Sequence, residues 1–157
     1  MRAARGVGTQ AIILVPTREL AIQVDAEIKR LAQFTPIRSV PVYGGQKIRA
    51  QMKFLAHHPE VLVGTPGRVI DLLDRRIINF DNIRYIVLDE VDRMLDIGFR
   101  DDIRNILSRV KGMRIKDEGG RMRDGAGKDD GGRMKDEGEG MPAQIQTIFV
   151  SATIAGE

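Results

Sequence analysis

The sequence predicts an α/β fold built on a parallel β-sheet. Short apolar runs rich in β-branched residues recur along the first 110 residues, and longer amphipathic segments separate them. The runs are almost continuously apolar, which is typical of strands that helices cover on both faces. Parallel neighbours need a long crossover connection, and the amphipathic segments can supply a helix for each. We therefore expect repeated strand and helix units around one sheet.

Five segments are predicted to form strands, and four to form helices. The strand candidates are AIILV (11–15), SVPVY (39–43), VLVG (61–64), YIVLD (85–89) and TIFVS (147–151). Between the first two, Leu20, Val24, Ile28 and Leu31 recur at helical spacing and predict one crossover helix with a single apolar stripe. Further helices are predicted over 46–56, 67–75 and 101–110, and Pro66 suits the first turn of the second of these.

The composition is that of a globular domain. The chain has 157 residues, 42% of them hydrophobic and 30% charged, which is about one domain. No apolar run approaches the roughly 18 residues that span a bilayer, so we expect no membrane partner and a cytoplasmic protein. The absence of cysteine excludes disulfides and thiol nucleophiles, and two histidines are too few for a histidine-rich metal site. The net charge of +3 only hints at a polyanionic partner.

Residues 111–140 differ in composition from the rest of the chain. This segment holds nine glycines, eight basic and eight acidic residues, and KDEGGRMRD (116–124) recurs as KDDGGRMKD (128–136). Its acids do not follow the alternate spacing of a calcium-binding loop. We expect a flexible, charge-rich insertion in a surface loop; the alternative is an arm that touches RNA or a partner. The expected organisation is one domain in two parts, 1–110 and 141–157, with this insertion between them.

A carboxylate pair follows the fourth predicted strand. Asp89 and Glu90 stand where the strand ends, and open α/β sheets bind their ligands at the carboxyl ends of their strands. In phosphoryl transfer, one such acid holds Mg²⁺ and a neighbour orients the attacking water. An isolated strand that ends in two acids is a weak signal, because many strands simply run out into solvent there.

Polar or glycine-rich motifs follow all five predicted strands. They are PTRELA (16–21), YGG (43–45), GTPGR (64–68), DEVD (89–92) and SAT (151–153), in chain order. With these motifs the sequence resembles the DEAD-box RNA helicases, ATPases of superfamily 2, over residues 11–110 and 144–154. The resemblance implies a RecA-like parallel sheet with flanking helices, and an enzyme that couples ATP binding and hydrolysis to local RNA unwinding.

The resemblance also implies roles for the acidic and SAT motifs. Asp89 would hold Mg²⁺ through water, and Glu90 would polarise the water that attacks the γ-phosphate of ATP. Asp92 would contact Ser151 and Thr153, which flank Ala152, and so couple the nucleotide site to strand separation. Read without the resemblance, Asp92 is equally a helix N-terminal acid that interacts with the helix dipole.

The remaining motifs match segments that hold single-stranded RNA, or a short duplex, by its backbone. The residues concerned are Pro16, Thr17, Arg18, Glu19, Gly44, Gly45, Thr65, Pro66, Gly67 and Arg68. Arginines can contact phosphate in a bidentate manner, and glycines allow close backbone approach. Such contacts position RNA without reading bases. Taken singly, Arg18 and Arg68 are ordinary surface charges, and the glycines ordinary turn residues.

The sequence departs from the family pattern in two ways. Val91 replaces the alanine of the namesake tetrad, which needs slightly more room but adds no polar chemistry. No GxxxxGK[ST] occurs, and only fifteen residues precede Pro16. We therefore expect an incomplete domain that lacks the P-loop strand and a second RecA-like domain, and that alone does not turn over ATP. The alternatives are a non-catalytic RNA-binding or regulatory module, and a decayed gene product.

Overall fold

The computed structural model describes residues 8–110 and 145–151, which form a five-stranded parallel sheet with flanking helices. The strands are β1 (Ala11–Leu14), β2 (Ser39–Val42), β3 (Val61–Gly64), β4 (Tyr85–Leu88) and β5 (Gln146–Phe149). Their order across the sheet is β2-β3-β1-β4-β5, and every neighbouring pair is parallel. The α/β prediction is confirmed, and each strand lies within its predicted segment to about one residue.

The helices are α1 (Arg18–Leu31), α2 (Ile48–Leu55), α3 (Pro66–Asp74), α4 (Val91–Ile97) and α5 (Arg100–Ser108). The predicted helices agree with α1, α2, α3 and α5 to within one helical turn. Helix α4 was not predicted, because its seven residues are too few to show a clear period. Val91 is its first residue and packs against the main core, so the valine of the tetrad has the room it needs.

Successive side chains of the strands serve two separate cores, one on each face of the sheet. In β1, Ile12 and Leu14 belong to the larger core, which α2, α3, α4 and α5 cover. Ile13 and Val15 point the other way and pack with α1. Helices therefore cover both faces, which explains why the strands are apolar throughout rather than alternating.

The apolar stripe of α1 is shorter than predicted. Leu20, Val24 and Ile28 pack against the smaller core as expected, together with the fully buried Ala21. Leu31, however, is 77% exposed and belongs to neither core. Leu31 is the last residue of α1, where the chain leaves the helix. Its helical spacing was right, but the sheet does not extend far enough to bury it.

The strand ends are level with one another. Gly64 pairs with both Leu14 and Val42, and Leu88 pairs with both Leu14 and Phe149. Because all five strands are parallel, the five following loops leave the sheet along one edge. This level edge is what brings the sequence motifs together.

The strands β2 and β5 are the two edges of the described sheet, and Phe149 of β5 is 64% exposed. The expected lack of a P-loop strand stays a prediction. The segment 111–140 lies outside the described residues, so its predicted flexibility is untested. Within 8–110 and 145–151, no helix combines the length and apolar character needed to cross a membrane.

Candidate functional site

The predicted site residues occupy the carboxyl edge of the sheet in two groups. The loops after β2, β3 and β1 lie on three neighbouring strands; we call residues 16–19, 44–45 and 65–68 the three-loop surface. The turn after β4 carries Asp89, Glu90 and Asp92, and we call residues 89–92 the acidic turn. Ser151 follows β5, beside the acidic turn. The strand order thus places the three-loop surface on one side of the edge and the acidic turn on the other. The order of the motifs along the chain does not reveal this separation.

Backbone hydrogen bonds tie these loops to one another. The Thr65 N–H donates to the Val42 carbonyl over 3.1 Å, and the Val15 N–H donates to the Gly64 carbonyl over 3.0 Å. The Asp89 N–H donates to the Leu14 carbonyl over 2.9 Å, which joins the acidic turn to β1. The first residues of each loop therefore continue the sheet, and their positions are fixed by it.

The loop after β1 begins α1 and presents Arg18 to solvent. Thr17 is the N-cap, and its Oγ1 accepts a hydrogen bond from the Leu20 N–H over 3.3 Å. The Arg18 side chain is 56% exposed and pairs with Glu19, which is 69% exposed, with 3.2 Å between Nε and Oε1. Such a surface pair is weak, so the guanidinium is available to a phosphate. Pro16 is buried, and its ring shapes the loop rather than meeting a ligand.

The loop after β3 begins α3 and combines a confined glycine with an open one. A Cβ on Gly64 would come 2.6 Å from Val69 Cγ2 and 2.7 Å from Val42 Cγ2, so only glycine fits. A Cβ on Gly67 would meet nothing within 4 Å. Pro66 is buried at the first helical position after the N-cap Thr65. The N–H groups of the next two residues, Gly67 and Arg68, precede the first intrahelical hydrogen bond and have no partner within the helix. These N–H groups can bind an anion.

Arg68 makes its hydrogen bonds within the protein. Its Nη1 donates to Gln51 Oε1 over 3.0 Å, its Nη2 donates to the Gln46 carbonyl over 3.1 Å, and its side chain is only 11% exposed. A bidentate contact from Arg68 to phosphate does not fit this arrangement well, because the two terminal nitrogens already have acceptors. Its predicted role in RNA binding stays a prediction.

Sequence reasoning assigned no role to three residues beside this arginine: Tyr43, which begins the YGG motif, Gln46 and Gln51. Gln51 is 3% exposed, and its Nε2 donates to the Tyr43 carbonyl over 2.9 Å. A signal was present, because Gln51 stands three residues after Ile48 and four before Leu55, on the apolar stripe of α2. A polar residue at such a position must find hydrogen-bond partners when it is buried.

The acidic turn has an unusual backbone. Glu90 has φ 50° and ψ 48°, a left-handed conformation that is costly for a residue with a Cβ. Its N–H donates to Asp89 Oδ1 over 3.0 Å, and both side chains are half-buried. Strained residues of this kind are concentrated at functional sites. The left-handed backbone of Glu90 is therefore consistent with the functional role predicted for Asp89 and Glu90.

Two further contacts define the acidic turn. Glu90 Oε2 accepts a hydrogen bond from Arg93 Nη1 over 3.0 Å. Asp92 Oδ1 is buried and, in the described structure, has no hydrogen-bond partner. The Val91 N–H donates to the Val150 carbonyl over 3.2 Å, which brings the start of α4 beside the end of β5. The predicted contact from Asp92 to Ser151 stays a prediction, and Ala152 and Thr153 lie outside the described residues.

The acidic turn has too few ligands to enclose a metal ion, but it has the carboxylates that a hydrated Mg²⁺ ion can use. No three acidic or histidine side chains cluster as a metal site within 8–110 and 145–151. Mg²⁺ does not need such a cluster, since it commonly binds one or two carboxylates and fills its other positions with water and phosphate oxygens. Asp89 has a carboxylate of this kind, half-buried beside Glu90, and one buried oxygen of Asp92 has no hydrogen-bond partner among the described residues.

Helices on both faces of a parallel sheet define an α/β protein of the class that generally binds its ligands at the carboxyl edge of the sheet, where the loops and acids described above lie. The DEAD/DEAH box helicase family matches residues 2–157. The chain therefore belongs to the DEAD/DEAH box helicase family, and its sheet is that of a RecA-like domain.

Individual relatives agree with this assignment. The DEAD-box ATP-dependent RNA helicase CshA of Bacillus subtilis is 48% identical over 101 residues, which cover 64% of this chain and 20% of that protein. CshA of Geobacillus kaustophilus is 47% identical over 105 residues, covering 67% and 22%. The chain thus spans about a fifth of the length of these curated relatives.

Solved structures show the same fold. The DEAD box protein from the hyperthermophile Methanococcus jannaschii superposes with a TM-score of 0.70 at 33% identity, covering 96% of this chain and 32% of that one. The yeast DEAD-box splicing factor Prp28 gives a TM-score of 0.73 at 27% identity, covering 94% and 28%.

Proposed function

We propose that this chain is part of an ATP-dependent RNA helicase, in which the three-loop surface holds single-stranded RNA by its backbone and the acidic turn serves an ATP site. The observation that carries the proposal is the division of the level carboxyl edge. The three neighbouring strands β2, β3 and β1 lead into the three-loop surface. The next strand, β4, leads into the acidic turn, and β5 leads to Ser151. The names of the CshA relatives supply the reaction class.

The three-loop surface suits a nucleic acid backbone. Arg18 offers a largely exposed guanidinium, Gly44 and Gly67 leave open space, and α3 begins with unpaired N–H groups. These groups recognise phosphate and sugar, which occur at every nucleotide. Binding is therefore independent of base sequence. Pro16 and Pro66 act by shaping the loops, because both are buried.

The acidic turn suits the water and metal side of an ATP site. Asp89 would hold Mg²⁺ through water, and Glu90 would orient a water molecule. When bound, Mg²⁺ would neutralise charge on the phosphates of ATP. Asp92 would link this turn to the residues after β5, since its unsatisfied buried oxygen is available to a donor there.

The chain by itself is expected to hydrolyse ATP no faster than background, because its 157 residues contain no GxxxxGK[ST]. Phosphate release by the purified chain, with and without RNA, measures this. Turnover that RNA stimulates and that Glu90→Gln abolishes would contradict the expectation. In that case the acidic turn would belong to a complete site within this chain.

The RNA surface is tested with a fluorescently labelled oligouridylate and anisotropy at two salt concentrations. We expect binding that weakens steeply with salt, as phosphate contacts do. Arg18→Ala should weaken binding about five- to tenfold and reduce the dependence of log K on log salt by about 0.7, the share of one phosphate on a single strand.

Arg30→Ala is the matched control for Arg18→Ala. Arg30 lies in the last turn of the same helix, pairs with the exposed Glu27 and is itself 73% exposed. The control should bind RNA as the unmodified chain does. Equal losses in the two variants would mean that general positive charge, rather than the three-loop surface, attracts the RNA.

A second candidate function is an RNA-binding or regulatory module without catalysis. The observation in its favour is that three neighbouring loops carry the arginines and open glycines proposed to hold RNA, while the sequence holds no nucleotide-cradling GxxxxGK[ST]. RNA affinity that ATP and Mg²⁺ leave unchanged would favour this module. RNA affinity that rises with ATP and Mg²⁺ would favour the helicase part.

A further inference from the structure

Four residues form a closed circuit of hydrogen bonds around the Gly44–Gly45 turn. The bonds run from Gln51 Nε2 to the Tyr43 carbonyl (2.9 Å), from Arg68 Nη1 to Gln51 Oε1 (3.0 Å), from Arg68 Nη2 to the Gln46 carbonyl (3.1 Å) and from Gln46 Nε2 to Tyr43 Oη (2.9 Å). The circuit starts and ends at Tyr43. It therefore encloses the glycine turn and joins it to α3.

Gln51 is the buried centre of this circuit. It is 3% exposed, so water does not compete for its amide. Its oxygen faces a guanidinium and its nitrogen faces a carbonyl, and only this orientation of the amide pairs a donor with each acceptor. Loss of the side chain would leave the Tyr43 carbonyl and the Arg68 guanidinium without these partners.

The turn that the circuit encloses consists of two glycines with open space beside them. Gly45 has φ +82°, and a Cβ on Gly44 or Gly45 would meet nothing within 4 Å. Glycines in an open turn have more conformational freedom than other residues. A binding loop that is ordered before its ligand arrives avoids the entropy cost of ordering during binding. The circuit supplies this order from outside the turn.

We propose that Gln51 is a positioning residue for RNA binding. It holds the Gly44–Gly45 turn and the first turn of α3 in one fixed arrangement, and Arg68 acts within this clamp rather than as a phosphate ligand. The inference rests on the proposed function, because RNA is the ligand that the arrangement serves. It assigns a role to Gln51 that the sequence motifs do not include.

The test is a double-mutant cycle that measures the affinity of the full 157-residue chain for oligouridylate RNA. Gln51→Met, which keeps the volume of the side chain, should weaken RNA binding about five- to tenfold without changing the salt dependence. Arg68→Ala should do the same. The double variant should bind no more weakly than the weaker single variant, because both changes open one circuit. Additive losses, or a reduced salt dependence in Arg68→Ala, would overturn the inference.

Two further variants separate positioning from general damage. Gln23→Met makes the same chemical change at an exposed site on α1 and should leave RNA binding unchanged. Gln51→Glu keeps an acceptor for Arg68 but cannot donate to the Tyr43 carbonyl. It should therefore weaken RNA binding as well, since two acceptor oxygens would then face each other at Tyr43. A loss in Gln23→Met equal to that in Gln51→Met would overturn the inference.

Hydrogen exchange without RNA distinguishes failure of the clamp from failure of the proposed function. Backbone amides of residues 43–47 should exchange faster in Gln51→Met and in Arg68→Ala than in the unmodified chain. Unchanged exchange would overturn the clamp whatever the RNA data show. Faster exchange in a chain that does not bind RNA would overturn the proposed function, and with it the positioning role, while leaving the circuit as a structural feature.

Discussion

Glu90 occupies a left-handed backbone conformation where β4 gives way to α4. A Cβ makes this conformation costly, whereas glycine adopts it freely. We expect Glu90→Gly to be more stable than Glu90→Ala by about 1 kcal/mol, because both lack the carboxylate and differ only in the Cβ. Urea unfolding of the two variants measures the difference. Equal stability, or a more stable alanine variant, would mean that the turn is relaxed.

The loop after β3 offers a second pair of substitutions with opposite expected outcomes. Gly64→Ala should destabilise the fold by about 1 to 3 kcal/mol, because its Cβ would collide with Val42 and Val69. Gly67→Ala should leave the fold unchanged or stabilise it by up to about 1 kcal/mol, because the position is helical and open.

The same pair of variants separates folding from binding. If the proposed RNA surface is right, Gly67→Ala should weaken RNA binding although it folds well, because the added methyl group would stand where the RNA backbone is proposed to approach. Thermal unfolding and anisotropy on one preparation test both halves. A destabilised Gly67→Ala, or a Gly64→Ala as stable as the parent chain, would contradict the packing described for this loop.

At the level of single residues, the sequence showed which side chains could do chemistry but not how they are held. Asp89, Glu90 and the glycines stand out by type and position. The left-handed backbone of Glu90 does not, since glutamate has no preference for it. The hydrogen bonds of Arg68 could not be predicted either, because Gln51 and Arg68 meet only once two separate helices pack.

Among the elements, Arg38 and Glu60 join the residues that lead into β2 and β3. Glu60 accepts hydrogen bonds from the Arg38 N–H over 2.9 Å and from Arg38 Nη2 over 3.2 Å, and its side chain is 8% exposed. Burial raises the pKa of the Glu60 carboxyl, but the hydrogen bonds and charge of Arg38 outweigh it. The pKa therefore lies below its ordinary value of 4.5.

A lowered carboxyl pKa stabilises the folded state only where the carboxyl is ionised. The contribution is complete above pH 4.5 and is lost as the pH falls through the lower pKa of the folded state. We expect Glu60→Gln to cost about 1 kcal/mol at pH 7, a modest value because Arg38 is half-exposed. Urea unfolding from pH 7 to pH 3 should show the difference between variant and parent shrinking below pH 4.5. A difference that stays constant with pH would contradict the assignment.

Elements were predicted well where the local pattern was strong. Each strand is a short apolar run bounded by glycine, proline or charge, and those signals lie within the segment itself. The outcomes for α4 and Leu31 show the limit of such signals. Seven residues are too few to define a helical period, and the exposure of Leu31 depends on where the sheet ends rather than on the spacing of α1.

At the scale of the whole molecule, the arrangement of the motifs follows from strand order. The sequence gives the loops in the chain order β1 to β5, whereas the sheet order is β2-β3-β1-β4-β5. This order gathers the loops of the three-loop surface on one side and the acids on the other. Pattern reasoning predicted a common edge, because the strands are parallel, but not this division, which depends on how the crossovers are wound.

Hydrogen exchange of the chain with and without single-stranded RNA tests the central claim most directly, because it locates the bound RNA on the molecule. We expect RNA to slow exchange in residues 16–19, 44–46 and 65–68, with little change in α5 and at the amino ends of the strands. Protection concentrated in α5, at the amino ends of the strands, or nowhere in these three segments would contradict the assignment of the carboxyl edge to RNA.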